Sequence, residues 1–216
     1  TDGPYKVLKT ARVGGEGGTD YIYADTAGRR LYITRGATQA REATASTPAV
    51  PAFEKRLTIF DLDTLEPVGV IPGVGGNGAT VCPNTGHGFT SDHPQPSMFD
   101  VKTMKLIKTI EVPAGFSADG IYCDNFNDRV YIGSHPTKTL IVVDAKDGAV
   151  LGNIDLGGIP EQTIGDARSA TRTASRTCAR ASRTSCSAIC ASHRAWPRTC
   201  TCPGSTRTRN AASRSS

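Results

Sequence analysis

The 216-residue sequence has no apolar run near the roughly 18 residues that a membrane-spanning helix requires, so no helical membrane span is expected. It has no GxSxG elbow, no HExxH pair and no Walker loop, and the usual signatures of serine hydrolases, zinc proteases and nucleotide-phosphate binding are therefore missing. Cys82 and Cys123 are the only cysteines before residue 167, and neither belongs to a CxxC pair. Both stand in strand-like text and are expected to be free, buried thiols. There is no initiator methionine; a start at Thr1-Asp2-Gly3-Pro4 suits a mature exported chain whose leader has been removed. After Asp166 there is no acidic residue and no lysine. The formal charge of +5 is thus a sum of two unlike parts: residues 1–166 hold 15 basic and 20 acidic residues (−5), and residues 167–216 hold ten arginines (+10).

What the sequence does have is internal repetition, and a fixed period points directly to a repeat architecture. Displaced by 99 residues, KVLKTARVGGEGGTDYIYADTAGRRLYIT (6–34) falls without a gap on KLIKTIEVPAGFSADGIYCDNFNDRVYIG (105–133), with eleven of 29 positions identical. A more divergent copy lies between them, marked by GNGATVCPNTGHGFTS (76–91) and MFDVKTMKLIKTIEV (98–112), and a fourth begins at Ile159-Pro160-Glu161. Each copy reads as four short strands. In the third, these are Ile121-Tyr122-Cys123, Val130-Tyr131-Ile132, Thr139 to Asp144 and Ala149 to Leu156, separated by Asn/Asp/Gly turns. Four strands in about 40–45 residues make one blade of a β-propeller. The expected fold is therefore all-β, a partial propeller of three to four blades over residues 1–166.

The strand texts Leu31-Tyr32-Ile33-Thr34 and Val130-Tyr131-Ile132-Gly133 resemble the motif of the YVTN-family β-propellers, whose repeat is WD40-like in length. Phe60-Asp61-Leu62-Asp63-Thr64 and Val143-Asp144-Ala145-Lys146-Asp147 resemble that family's third-strand ending. The resemblance implies a six- or seven-bladed ring in a bacterial periplasmic or extracellular setting. Val7 to Val13 aligns with the fourth strand Leu106 to Val112, so the chain is expected to open with the outer strand that completes a last blade.

Residues 167–216 have no such pattern. Arg, Ser, Thr, Ala and Cys supply nearly all of them, with Cys178, Cys186, Cys190, Cys200 and Cys202 at no metal-binding spacing. A zinc site and a nucleic-acid arm are both weighed and set aside, the second because no lysine or fold accompanies the arginines. The preferred reading is a shifted reading frame in GC-rich DNA: synonymous codons for Ala167 to Cys178, shifted by two bases, permit AVSHPDGKPYV, the strand–turn–strand that a fourth blade needs. A basic disordered tail is the alternative.

Asp20, Asn77, Asp119 and Glu161 hold equivalent places at the starts of the inner strands, at spacings of 57, 42 and 42. They are expected to ring one mouth of the channel. There they either cap local turns or hold a divalent cation such as calcium, which oxygen-only ligands suit. His93 and His135, each followed by proline, open on the same face, as repeat-encoded turns or as ligands. The glycine-rich Gly14-Gly15-Glu16-Gly17-Gly18 opens no helix and reads as a connector. The functional expectation is an exported scaffold that binds a small ligand, cation or protein partner on this face, with no nucleic acid and no membrane span. The alternatives are a metal-dependent lactonase-like hydrolase or quinoprotein dehydrogenase-like propeller, and a fragment without function.

Overall fold

The structure, a computed structural model, describes residues 3–14, 17–164 and 176–177. Twelve strands form three antiparallel sheets of four, each a simple meander in chain order. The first comprises β1 (Ile22–Asp25), β2 (Arg30–Arg35), β3 (Arg56–Asp61) and β4 (Pro67–Pro72). The second comprises β5 (Ala79–Cys82), β6 (His87–Thr90), β7 (Ser97–Asp100) and β8 (Lys105–Thr109). The third comprises β9 (Ala118–Asp124), β10 (Arg129–Ser134), β11 (Thr139–Asp144) and β12 (Val150–Asp155). Among the described residues there is no helix, and therefore none long and apolar enough to cross a membrane. The chain is a partial β-propeller, as its repeats predict.

The order of strands from channel to rim follows from burial. All four residues of β5 are buried, whereas all five of β8 are exposed. Apolar side chains on the faces of each sheet must be covered by the neighbouring sheet, so the cores lie between blades. Tyr32, Leu57, Ile59 and Ile71 of the first blade meet Val81 and Phe99 of the second. Phe89 and Met98 of the second meet Ile121, Val130, Ile132 and Ile141 of the third. The inner strands consequently stand side by side, β5 between β1 and β9. Outer edges carry features that discourage pairing with other chains, prolines at both ends of β4 and Lys105 and Lys108 in β8.

Turn chemistry repeats from blade to blade. Asp25 and Asp124 accept backbone hydrogen bonds after the first strand, and Asp61, Asp100 and Asp144 do so after the third. The third turns then require a left-handed residue, supplied by Leu65, Met104 and Gly148 at φ 57°, 54° and 72°. Arg30–Asp61 (3.2 Å) and Arg129–Asp144 (2.8 Å) are the same ion pair in blades one and three.

The structure corrects the expectation about the cysteines. Cys82 and Cys123 are not free thiols but form a disulfide, with Cα atoms 5.7 Å apart, inside the usual range. They are 41 residues apart, about one repeat, and residues one repeat apart become lateral neighbours only when inner strands of successive blades are set side by side. Spacing in the sequence alone carries no sign of that.

The segment from Arg35 to Arg56 is not plain loop. Thr38 pairs with Phe53 and Arg41 with Val50, which extends the β2–β3 hairpin beyond the blade. Val7 to Val13 carries no strand; Lys9 reaches the Thr64 carbonyl oxygen. The fourth repeat begins as β13 (Thr163–Ile164), which pairs with β14 (Arg176–Thr177) and lies against β9. The remaining residues of 167–216, on which the frameshift reading and the disordered-tail reading fall, lie outside the described residues.

Candidate functional site

The site is built where β9 begins. The β9–β10 ladder shifts register between Ile132 and Ser134, a bulge that leaves Asp119 and Gly120 out of regular pairing. Gly120 allows close passage of the next repeat: a Cβ there would land on the Glu161 carbonyl oxygen. A Cβ at Gly133 would stand 3.1 Å from Pro160 Cγ. These two glycines admit the Ile159–Gln162 stretch alongside β9 and bring Glu161 to Asp119. His135 arrives from the other side, in the β10–β11 turn, where its carbonyl accepts from the Lys138 amide.

Asp119, His135 and Glu161 each offer one ligand atom, and no two of these atoms lie more than 4.8 Å apart. His135 Nε2 is 2.8 Å from Asp119 Oδ2 and 3.7 Å from Glu161 Oε1. The two close atoms stand at ion-pair distance, yet both are buried and neither has a hydrogen-bond partner. The Asp119 residue is only 6 % exposed, so its Oδ2 depends on the imidazole for compensation. The other oxygen, Oδ1, accepts from Asn77 Nδ2 at 2.7 Å. Asp119 therefore does not cap a local turn; its partner stands one blade away.

Tyr21 completes the surroundings. Burial, then the charges of Asp119, Asp20 and Glu161 together with a hydrogen bond to Asp119, push its phenol up to about 12. The phenol senses a concentration of negative charge at this mouth.

The other expected residues lie next door. Asp20, Asn77 and His93 line a cleft of about 490 Å³ with Thr19, Lys55 and Asp92. Asn77 belongs to both places, because its side chain reaches Asp119. The two histidines, alike in sequence, part company here. His135 joins the carboxylates, whereas the His93 ring lies 3.3 Å from the Ser117 hydroxyl and its carbonyl accepts from Lys55. Thus Asp119, Glu161, His135 and Asn77 converge, and Asp20 and His93 flank them.

Sequence reasoning missed Tyr21, Lys55 and Asp92. Asp92, 2 % exposed, accepts from the amides of Gly75 and His93 and from Ser97 Oγ, and it pairs with Lys55 Nζ at 2.9 Å. That cluster fastens the first blade to the second. Its only mark in the sequence is a polar Ser91-Asp92-His93 run after a strand, and such runs occur in any loop. Tyr21 follows Asp20 directly, so the mouth alignment points at its neighbour and not at it.

The donor set also differs from the oxygen-only ring that the inner-strand alignment predicts. His135 supplies a nitrogen from a neighbouring turn, and the set becomes one imidazole and two carboxylates.

No family model and no curated protein matches the chain. Among solved structures, it is similar to Kuenenia stuttgartiensis hydrazine synthase, with a TM-score of 0.54 and 15 % identity over 76 % of this chain and 43 % of that one. It is also similar to the β-propeller domain of Myceliophteria thermophila Cps50 (Swd1), with a TM-score of 0.46 and 13 % identity over 75 % of this chain and 62 % of that one. The WD40 repeats of RRP9 give a TM-score of 0.46 and 8 % identity over 61 % and 37 %. The chain thus spans less than two thirds of the length of each. At these identities the likeness concerns the fold alone.

Proposed function

We propose that this chain is part of an exported β-propeller scaffold that captures a cationic ligand at one mouth of its channel, between Asp119, Glu161 and His135. The observation that carries the reading is the convergence on one point of Asp119 Oδ2, a Glu161 oxygen and His135 Nε2, with Asp119 Oδ2 buried and in no hydrogen bond. Two carboxylates brought together with one imidazole favour a cation among them. After burial, the charges of Asp119, Asp20 and Glu161 raise the Tyr21 phenol, which supports a concentration of negative charge there. The Cys82–Cys123 disulfide supports export to the periplasm or beyond, since such bonds persist in oxidising compartments.

The test is a melting-temperature series on the full chain with divalent metals and with organic amines, repeated on Asp119→Asn. At least one cation should raise the midpoint of the wild type and have little effect on the variant. Equal shifts in both proteins, or none in either, would refute the reading.

A further inference from the structure

We infer that the ligand of this mouth is a borderline divalent metal of the zinc and cobalt(II) kind, held by Asp119 Oδ2, His135 Nε2 and a Glu161 oxygen. The inference rests on the cation-binding reading above and gives it a chemical class. A cluster of acids alone would not carry it. The independent observation is at Asp119, only 6 % exposed: its Oδ2 and His135 Nε2 face each other at 2.8 Å, both atoms buried and neither in a hydrogen bond.

A metal ion between the two atoms would take the place of the proton that otherwise joins the imidazole to the carboxylate at 2.8 Å. An ion bound at about 2.0–2.2 Å holds its ligand atoms roughly 3–3.5 Å apart. The distances of 2.8 and 3.7 Å bracket that range, so a shift of well under 1 Å closes the three donors on one ion. Calcium would need six to eight oxygens at about 2.3–2.6 Å, whereas this set offers three protein donors, one of them nitrogen. Imidazole with carboxylate suits zinc and its neighbours. Metal sites of this kind fix their ligands through a second ring of hydrogen bonds. Asn77 fills that part: it donates to Asp119 Oδ1, which leaves Oδ2 turned to His135. It is a positioning residue. With three protein ligands, the remaining coordination positions fall to water.

The experiment uses the full chain after alkylation of its accessible thiols, so that cysteines of residues 167–216 do not compete. Cobalt(II) is added and the visible spectrum recorded, followed by displacement with zinc. The expected result is one equivalent of cobalt with d–d bands of a nitrogen–oxygen site, displaced by zinc and unaffected by excess calcium or magnesium. His135→Ala, which alters a partly exposed turn residue, should weaken zinc at least about 100-fold, and Asn77→Ala about 10- to 100-fold. Calcium or an organic amine binding in place of cobalt, with dependence on Asp119 but not on His135, would overturn the metal class and leave the cation-binding reading intact. Cobalt or zinc binding that survives His135→Ala would overturn the assignment of ligands. No binding by any cation, metal or amine, to the folded wild type would overturn both.

Discussion

At the scale of single residues, the account turns on charges held away from water. The Tyr21 phenol, normally near 10.0 and here pushed up to about 12, keeps its proton in the folded state at a pH where the unfolded chain has lost it. Its contribution to stability is therefore complete below pH 10 and is lost as the pH rises towards 12. A spectrophotometric titration should show Tyr21 among the late phenols with Tyr32, and Tyr21→Phe should remove one late-titrating group. A cation between the carboxylates would lower the Tyr21 titration in part, because burial, the larger cause, remains. An unchanged late phase in the variant would contradict this placement. Asp92 offers a second test at this scale. It gathers two amides, one hydroxyl and the Lys55 ammonium into a buried spot. Asp92→Ala should lower the unfolding free energy by more than about 2 kcal/mol in urea titration, because all four donors lose a charged acceptor. A loss within 0.5 kcal/mol, about the effect of an ordinary surface change, would show that the cluster is not holding the blades together.

At the scale of elements, strands and turns were legible and lateral contacts were not. The alternation of Val, Ile and Tyr with Asn/Asp turns marks the four strands of the third blade within a few residues, because each strand is paired with its neighbour in the chain. The disulfide, the Asn77–Asp119 bond and the approach of His135 all join residues from different blades, or from strand and turn, and a sequence read along one dimension does not reveal which side chains meet across a sheet. The mouth residues were found only where the repeat itself aligned them. Closing a 41-residue separation, the disulfide should contribute about 4 kcal/mol by loop entropy. Reduction should lower the denaturation midpoint accordingly, and Cys82→Ala with Cys123→Ala should reproduce the loss; a midpoint indifferent to reductant would contradict the bond. The element that delivers Glu161 is equally testable. Gly120→Ala places a methyl against the Glu161 carbonyl and should displace the Ile159–Gln162 stretch. Cation affinity should fall about tenfold or more, with a stability cost of about 1–3 kcal/mol. Undiminished affinity would show that Glu161 is not a ligand.

At the scale of the whole molecule, a propeller concentrates at its channel what each repeat carries only once. One polar residue per inner strand, harmless alone, becomes a cluster when three repeats share an axis, and the fold then supplies turns such as that of His135 to complete it. The fold leaves open what the mouth holds, since propellers host many functions; only the donors and their distances speak to it. The most direct measurement is a crystal structure of the full chain grown with zinc, with anomalous data at the zinc edge. The account predicts one peak at the start of β9, within about 2.0–2.2 Å of Asp119 Oδ2 and His135 Nε2 and in reach of Glu161. No peak there, with the blades intact and His135 hydrogen-bonded to Asp119 instead, would contradict it.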